Sequence, residues 1–405
     1  MKEKIHMSNL KDKRLDLYEV HFGRDQEAEL NQEVREMEAN SQWVPGIISK
    51  NVEIEAVYPI DAMQTAEKYG FDEDLMMDTS NGETPYVVNT GFESHMVRET
   101  ARSSLCETAK LFGSALGRMA PELFAQTINN GLSVARGSTL MLMRYGKCSA
   151  LHSNADGGYQ VMEISKLLDI STDVIAKRFG EADFIRGSNS HGYTSALWQL
   201  PDAQMEMLKK YQQVLNRNGG SKYPINFMPG VRFASSDTAA SCATLEPVFF
   251  IPRTGVALPF VEGVRIRHTK RGYDKPAIEV FEEKASQIGS LFDASMEQIE
   301  KLASISIMNG VNAVVSVCNA FNISKKWGES ARVEMERLTA GGYAVNAHDL
   351  YLCLTEAIAE AVACKASETV IVDLEDKIMR VLKIKDWSEH DVGGVVAWGQ
   401  KKGAA

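Results

Sequence analysis

YPINFMPGVRFASSDTAASCATLEPVFFIPRTGVALPFVEGVRIRHTKRGYDK, residues 223–275, is the stretch whose reading decides the fold class. Val, Phe, Ile and Thr recur through it, and Pro and Gly interrupt it at short intervals. That composition suits short antiparallel strands joined by tight turns, three or four of them before Thr269. After Lys275 the pattern changes. Segments 276–302, 305–321, 328–338, 346–364 and 370–382 space their apolar residues as helices do. Antiparallel strands grouped apart from helices make the class α+β.

Upstream of this stretch, 202–217 reads as a helix, and FIRGSNSHGYTSALWQL (184–200) as two strands around a loop at 187–192. Ser171 is placed to cap a helix beginning DVIAKRF. Two apolar runs, 139–145 and 147–153, flank Gly146 as a hairpin would. From 94 to 132 the spacing predicts helices broken at Pro121, the first carrying Arg98, Arg102, Lys110 and Arg118. Residues 25–40 form an acidic helix. Val52, Ile54 and Ala56 alternate with Glu53 and Glu55 as in a half-exposed strand, and TSNGETP (79–85) resembles a linker. The expected organisation is an acidic N-terminal segment (1–85), an antiparallel β-rich central domain with flanking helices (86–275), and a C-terminal helical region (276–405).

The chain of 405 residues is 44% hydrophobic and 24% charged, within the range of globular proteins. It contains no apolar run long enough for a membrane span and no secretory leader, so a cytoplasmic location is expected. Its six cysteines form no Cys-x-x-Cys pair and sit among apolar neighbours; buried free thiols are the simplest reading, as adaptable core packing is for most of the 18 methionines.

The net charge of −10 hides an asymmetry. Residues 1–94 hold 9 Lys/Arg against 20 Asp/Glu, residues 95–275 hold 22 against 15, and residues 276–405 hold 13 against 19. A basic middle between acidic flanks is what a polyanion-facing surface would show. Its clearest local expression is Arg265-Ile266-Arg267-His268-Thr269-Lys270-Arg271-Gly272-Tyr273. In a strand, Arg265 and Arg267 share one face while Ile266 and His268 take the other. Guanidinium groups suit phosphate, Lys270 and Arg271 extend the charge, and the Tyr273 ring could stack on a base. The competing reading is a solvated edge strand whose charges prevent aggregation. Arg98 and Arg102, four apart on a helix face, and Arg144 and Lys147, beside the turn at Gly146, are second-rank members of the same surface; pairing with an acidic neighbour such as Glu99 is the favoured reading of the first two, and a solvated turn explains the second two equally well. The acidic N-terminal segment is expected to fold over this surface and compete with nucleic acid.

Several phrases taken in order, RETAR (98–102), LMLMRYGKCSALHS (140–153), FASSDTAAS (233–241), VRIRHTKRGY (264–273) and NAHDLYLCLTE (346–356), resemble a prokaryotic family of phage- and plasmid-borne proteins known by a domain-of-unknown-function label. The resemblance covers about 95–385 and implies a mobile-element setting, with no residue roles attached. It directs attention to proteins that bind and anneal single-stranded DNA as homo-oligomers, the alternative being a self-assembling structural protein in which the positive middle of one copy meets the acidic flanks of another.

A hydrolase is the third reading. Ser235 or Ser236, Asp237 and one of His152, His191 or His268 supply the residue types of a catalytic triad, but no Gly-x-Ser-x-Gly elbow is present. No metal is expected: His152 and Asp156 fall in a glycine-rich loop, and His348-Asp349 opens a helix, where Asp complements the dipole. No nucleotide cofactor is expected either. Gly137 and Gly146-Lys147 are spaced too widely for a phosphate loop, with Cys148 in place of the hydroxyl residue, and 187–192 lacks the strand–glycine–helix arrangement.

Overall fold

A computed structural model describes residues 12–399 apart from 114, 154–157, 225, 239, 253–254, 270–271 and 367. Lys270, Arg271 and Asp156 therefore lie outside the described residues. The protein is α+β, with helices packed on antiparallel and mixed sheets.

The stretch 223–275 contributes four strands, Met228–Ser235, Ala243–Phe250, Ala257–Pro259 and Val264–Ile266. They complete a seven-stranded antiparallel sheet. In spatial order it runs Glu19–Phe22, Asp183–Ser190, Thr194–Gln199, Met228–Ser235 and Ala243–Phe250, with both short strands pairing along the far side of the last. Alternation along each strand sorts the side chains. Trp198, Phe233, Leu245 and Ile266 point into the main core, where helices Ile164–Phe179, Pro201–Arg217, Ala277–Ala285 and Ile288–Ala303 supply Leu167, Tyr211, Phe281 and Phe292. Each fully buried side chain of this kind contributes roughly 1.5–3 kcal/mol.

A second sheet has six strands in the order Ser41–Ile48, Ser138–Arg144, Lys147–Ser153, Ser94–Val97, Tyr86–Asn89 and Glu53–Ala56. The hairpin expected around Gly146 forms its centre, and Ser94–Val97 joins it in parallel. Helices Ala101–Thr108 and Pro121–Val134 cover one face through Leu105, Phe124 and Ile128, while Ala62–Tyr69 and Glu73–Asn81 cover part of the other through Ala66 and Met76. Among the described residues no helix is long and apolar enough to cross a membrane. All six cysteines are free; Cys148, Cys318 and Cys353 are buried, Cys106 and Cys242 half-buried, and Cys364 exposed.

Several local expectations are corrected. Residues 94–97 are strand, so the helix starts only at Ala101 and Arg98 precedes it. Ser171 lies inside the helix Ile164–Phe179, buried, its hydroxyl donating to the Leu167 carbonyl one turn back. The turn expected at 187–192 is confined to 191–193. Gly187 is within a strand, where a Cβ would meet Leu30 at 2.7 Å and the Ser195 carbonyl at 2.8 Å. The expected boundaries at 85 and 275 also fall inside packed units. Glu53–Ala56 pairs with Tyr86–Asn89, Glu19–Phe22 belongs to the large sheet, and the helices after 276 complete the core of that sheet.

Candidate nucleic-acid interface

The face of the large sheet turned away from the main core carries the candidate site. Strand register aligns one row of side chains across six strands: His21, Ser188, Ser195, Ala234, Thr244 and Arg265. The four inner members are small. The neighbouring row reads Arg186, Leu197, Arg232 and Glu246. Two recesses open over these rows. The first, of about 650 Å³, is lined by Ala234, Thr244, Arg265 and Arg267 on the sheet side and by Glu107, Lys110 and His152 from the second sheet and its helix. The second, of about 510 Å³, is lined by His21, Arg186, Ser188, Ser195 and Lys365 among others. They meet at Tyr193, Arg232 and Glu375, which line both.

The alternation read from the sequence holds along the basic segment. Val264, Ile266 and His268 are buried, and Arg265 and Arg267 are exposed. Arg265 faces the Asp376 carboxylate at 3.8 Å, a pair about 40% exposed on both sides. For Arg267, no carboxylate of the described residues lies within 4.0 Å. Tyr273 has a different place from the one expected. Its hydroxyl accepts the Arg267 backbone N–H at 3.2 Å and its ring packs half-buried against the main core, so it fixes Arg267 instead of offering an open face. Tyr193 lines both recesses, and Tyr159 the first.

Arg232 sits under this surface with its charge neutralised. Burial opposes its ionisation, but the Glu375 and Glu246 carboxylates outweigh burial and hold its pKa well above the usual value. Glu246 lies 2.8 Å away, and Glu375 bonds the other arm of the guanidinium from the helix Glu368–Val381.

The second-rank cations are structural. Arg98, Arg144 and Lys147 are buried. Lys147 places its ammonium 2.8 Å from both Asp16 and Asp78. Arg98 donates to the Leu15 carbonyl at 2.7 Å and to Ser149 at 3.2 Å, and burial lowers its pKa to about 10, leaving it charged at neutral pH. Arg144 donates to the Asp237 carboxylate, to the His191 carbonyl at 2.6 Å and to Ser41 at 3.0 Å. Arg102 is half-buried, holds the Glu83 and Leu116 carbonyls at 3.2 Å, and stacks over Phe124 at 4.8 Å. The described part of the acidic N-terminal segment therefore meets Arg98 and Lys147 in the interior, through Asp16 and Asp78, and contributes no lining residue to the first recess.

The Ser/His/Asp residues do come together, in a tightly packed arrangement. Ser235, fully buried, has its hydroxyl 3.4 Å from His268 Nε2. His268 Nδ1 is 3.0 Å from the Tyr159 hydroxyl, which donates to the Asp237 carbonyl. His152 Nε2 contacts the same carbonyl at 3.0 Å, and its ring stacks on Tyr159 at 3.7 Å. Burial pushes both His152 and His268 down to about 4, so both rings are neutral at pH 7. The Asp237 carboxylate is committed to Arg144 and orients neither ring. Ser236 is buried and bonds Thr238, and His191 contacts the Leu15 carbonyl. The cluster joins the two sheets; it lacks the carboxylate–imidazole–hydroxyl relay that nucleophilic catalysis uses. Among the described residues no group of three potential metal ligands occurs. Asp349 completes a capping box with Asn346, and His348 bonds Tyr211 in the core at 2.6 Å.

Comparison of the chain with protein-family models, with curated proteins and with solved structures gives no match. Lys110, Arg186, Tyr193, Arg232 and Lys365 line the recesses without having been singled out for this surface by the sequence. Arg186 and Arg232 are the single cations of their strands, and only the strand register sets them on the same sheet face as Arg265.

Proposed function

We propose that the protein binds single-stranded nucleic acid in the first recess, with Arg267 and Arg265 contacting phosphate. The observation that carries this reading is Arg267. It stands exposed on the wall of the first recess, its backbone fixed by Tyr273, with no carboxylate partner among the described residues. A guanidinium so placed is ready for a bidentate phosphate contact. Tyr193 supplies a ring for base stacking, an interaction worth about 1–3 kcal/mol per base. The resemblance to phage- and plasmid-borne proteins adds a setting in which single strands are exposed and annealed. Titration of labelled single-stranded and duplex DNA, followed by fluorescence polarisation, tests the proposal: the single strand is bound more tightly, and equal or absent binding of both contradicts it.

A further inference from the structure

We infer that the second recess is a further phosphate subsite of the same surface, so that one extended single strand crosses the sheet from Arg267 to Arg186. The inference rests on the reading above and extends it to a part of the molecule that the basic segment does not reach.

Three features of the second recess support it. The first is charge. Its described lining holds Arg186, Arg232 and Lys365 against Glu19 and Glu375. Glu375 is spent on Arg232, and Glu19 lies 3.7 Å from His21. Arg186 and Lys365 have no carboxylate of the described residues within 4.0 Å. They are thus available to an outside anion.

The second is shape. The row Ser188, Ser195, Ala234, Thr244 makes a low floor between His21 at one end and Arg265 at the other. Five inter-strand spacings of about 4.8 Å give that row a length of roughly 24 Å, long enough for several nucleotides of an extended chain. Tyr193 stands where the recesses meet, between the two pairs of cations.

The third is hydrogen bonding. The Ser188 and Ser195 hydroxyls bond each other at 2.9 Å. One hydrogen serves that bond, so the accepting hydroxyl keeps its own hydrogen to donate. A phosphate oxygen or a base edge is a suitable acceptor.

The test uses the full chain and oligothymidylates from the mononucleotide upward, each titrated against wild type, Arg186→Gln and Lys365→Gln. Wild-type affinity should rise with length and then level off once the strand spans both recesses. Both variants should weaken the long probes several-fold and leave the shortest unchanged, with the salt slope for long probes falling by about 0.7 per lost contact. Two variants from separate elements guard against a folding defect in one of them. If wild type binds but affinity does not rise with length, or neither variant differs from it on long probes, the second subsite is overturned and the first-recess reading stands. If no probe binds to wild type, both fall together.

Discussion

Asp16, which precedes the first described strand, accepts the ammonium of Lys147 at 2.8 Å, 131 residues further along the chain. Lys147 opens a central strand of the second sheet, and its other partner, Asp78, lies within the helix Glu73–Asn81 packed beside that sheet. The acidic N-terminal segment is thus part of the interior. Breaking a buried pair by removing one partner costs about 3–5 kcal/mol, because the remaining charges stay desolvated. Lys147→Met should lower stability by that amount, measured by urea unfolding. Deleting residues 1–85 should leave a chain that fails to fold, since strands of both sheets go with it; a folded truncation with tighter nucleic-acid binding would contradict this role.

Acid should destabilise the junction between the sheets. Burial holds His152 and His268 near 4, and burial together with the Arg98 and Arg144 guanidiniums holds His191 near 2, whereas unfolded imidazoles titrate near 6.5. The unfolded chain therefore binds more protons below about pH 6.5. The stabilisation is fully present above that pH and declines as pH falls toward 4. Thermal unfolding across this range should show a steady fall in midpoint, shallower in His268→Gln; a flat profile would contradict neutral, buried imidazoles.

On the proposed reading, Asp376 competes with phosphate for Arg265. The pair is substantially exposed, so it contributes about 0–1 kcal/mol to stability. Asp376→Asn should leave the unfolding midpoint almost unchanged and tighten oligonucleotide binding several-fold at low salt. Unchanged affinity would place Arg265 outside the binding surface.

The basic segment and the strands around it were legible in the sequence because alternation on a half-exposed strand is a local property. Val264, Ile266 and His268 went inward and Arg265 and Arg267 outward. The C-terminal helices were legible for the same reason. Arg98, Arg144 and Lys147 were not, because a cation in a short apolar run looks the same whether it meets solvent or a carboxylate 69 to 131 residues away. Asp16 and Asp78, counted as part of an acidic flank, are the counter-ions of Arg98 and Lys147, and Asp237 is that of Arg144. Regional net charge therefore overstated the basic surface. The row from His21 to Arg265 was hidden for a related reason: its members come from six strands, and only register aligns them.

Arg267 is the residue on which the functional reading turns. Polarisation titrations of a labelled single-stranded oligonucleotide across a salt series, wild type beside Arg267→Ala, measure its contribution directly. The expected result is weaker binding by the variant at every salt concentration, with a log–log slope shallower by about 0.7. Identical affinities and slopes for the two proteins would contradict phosphate binding in this recess.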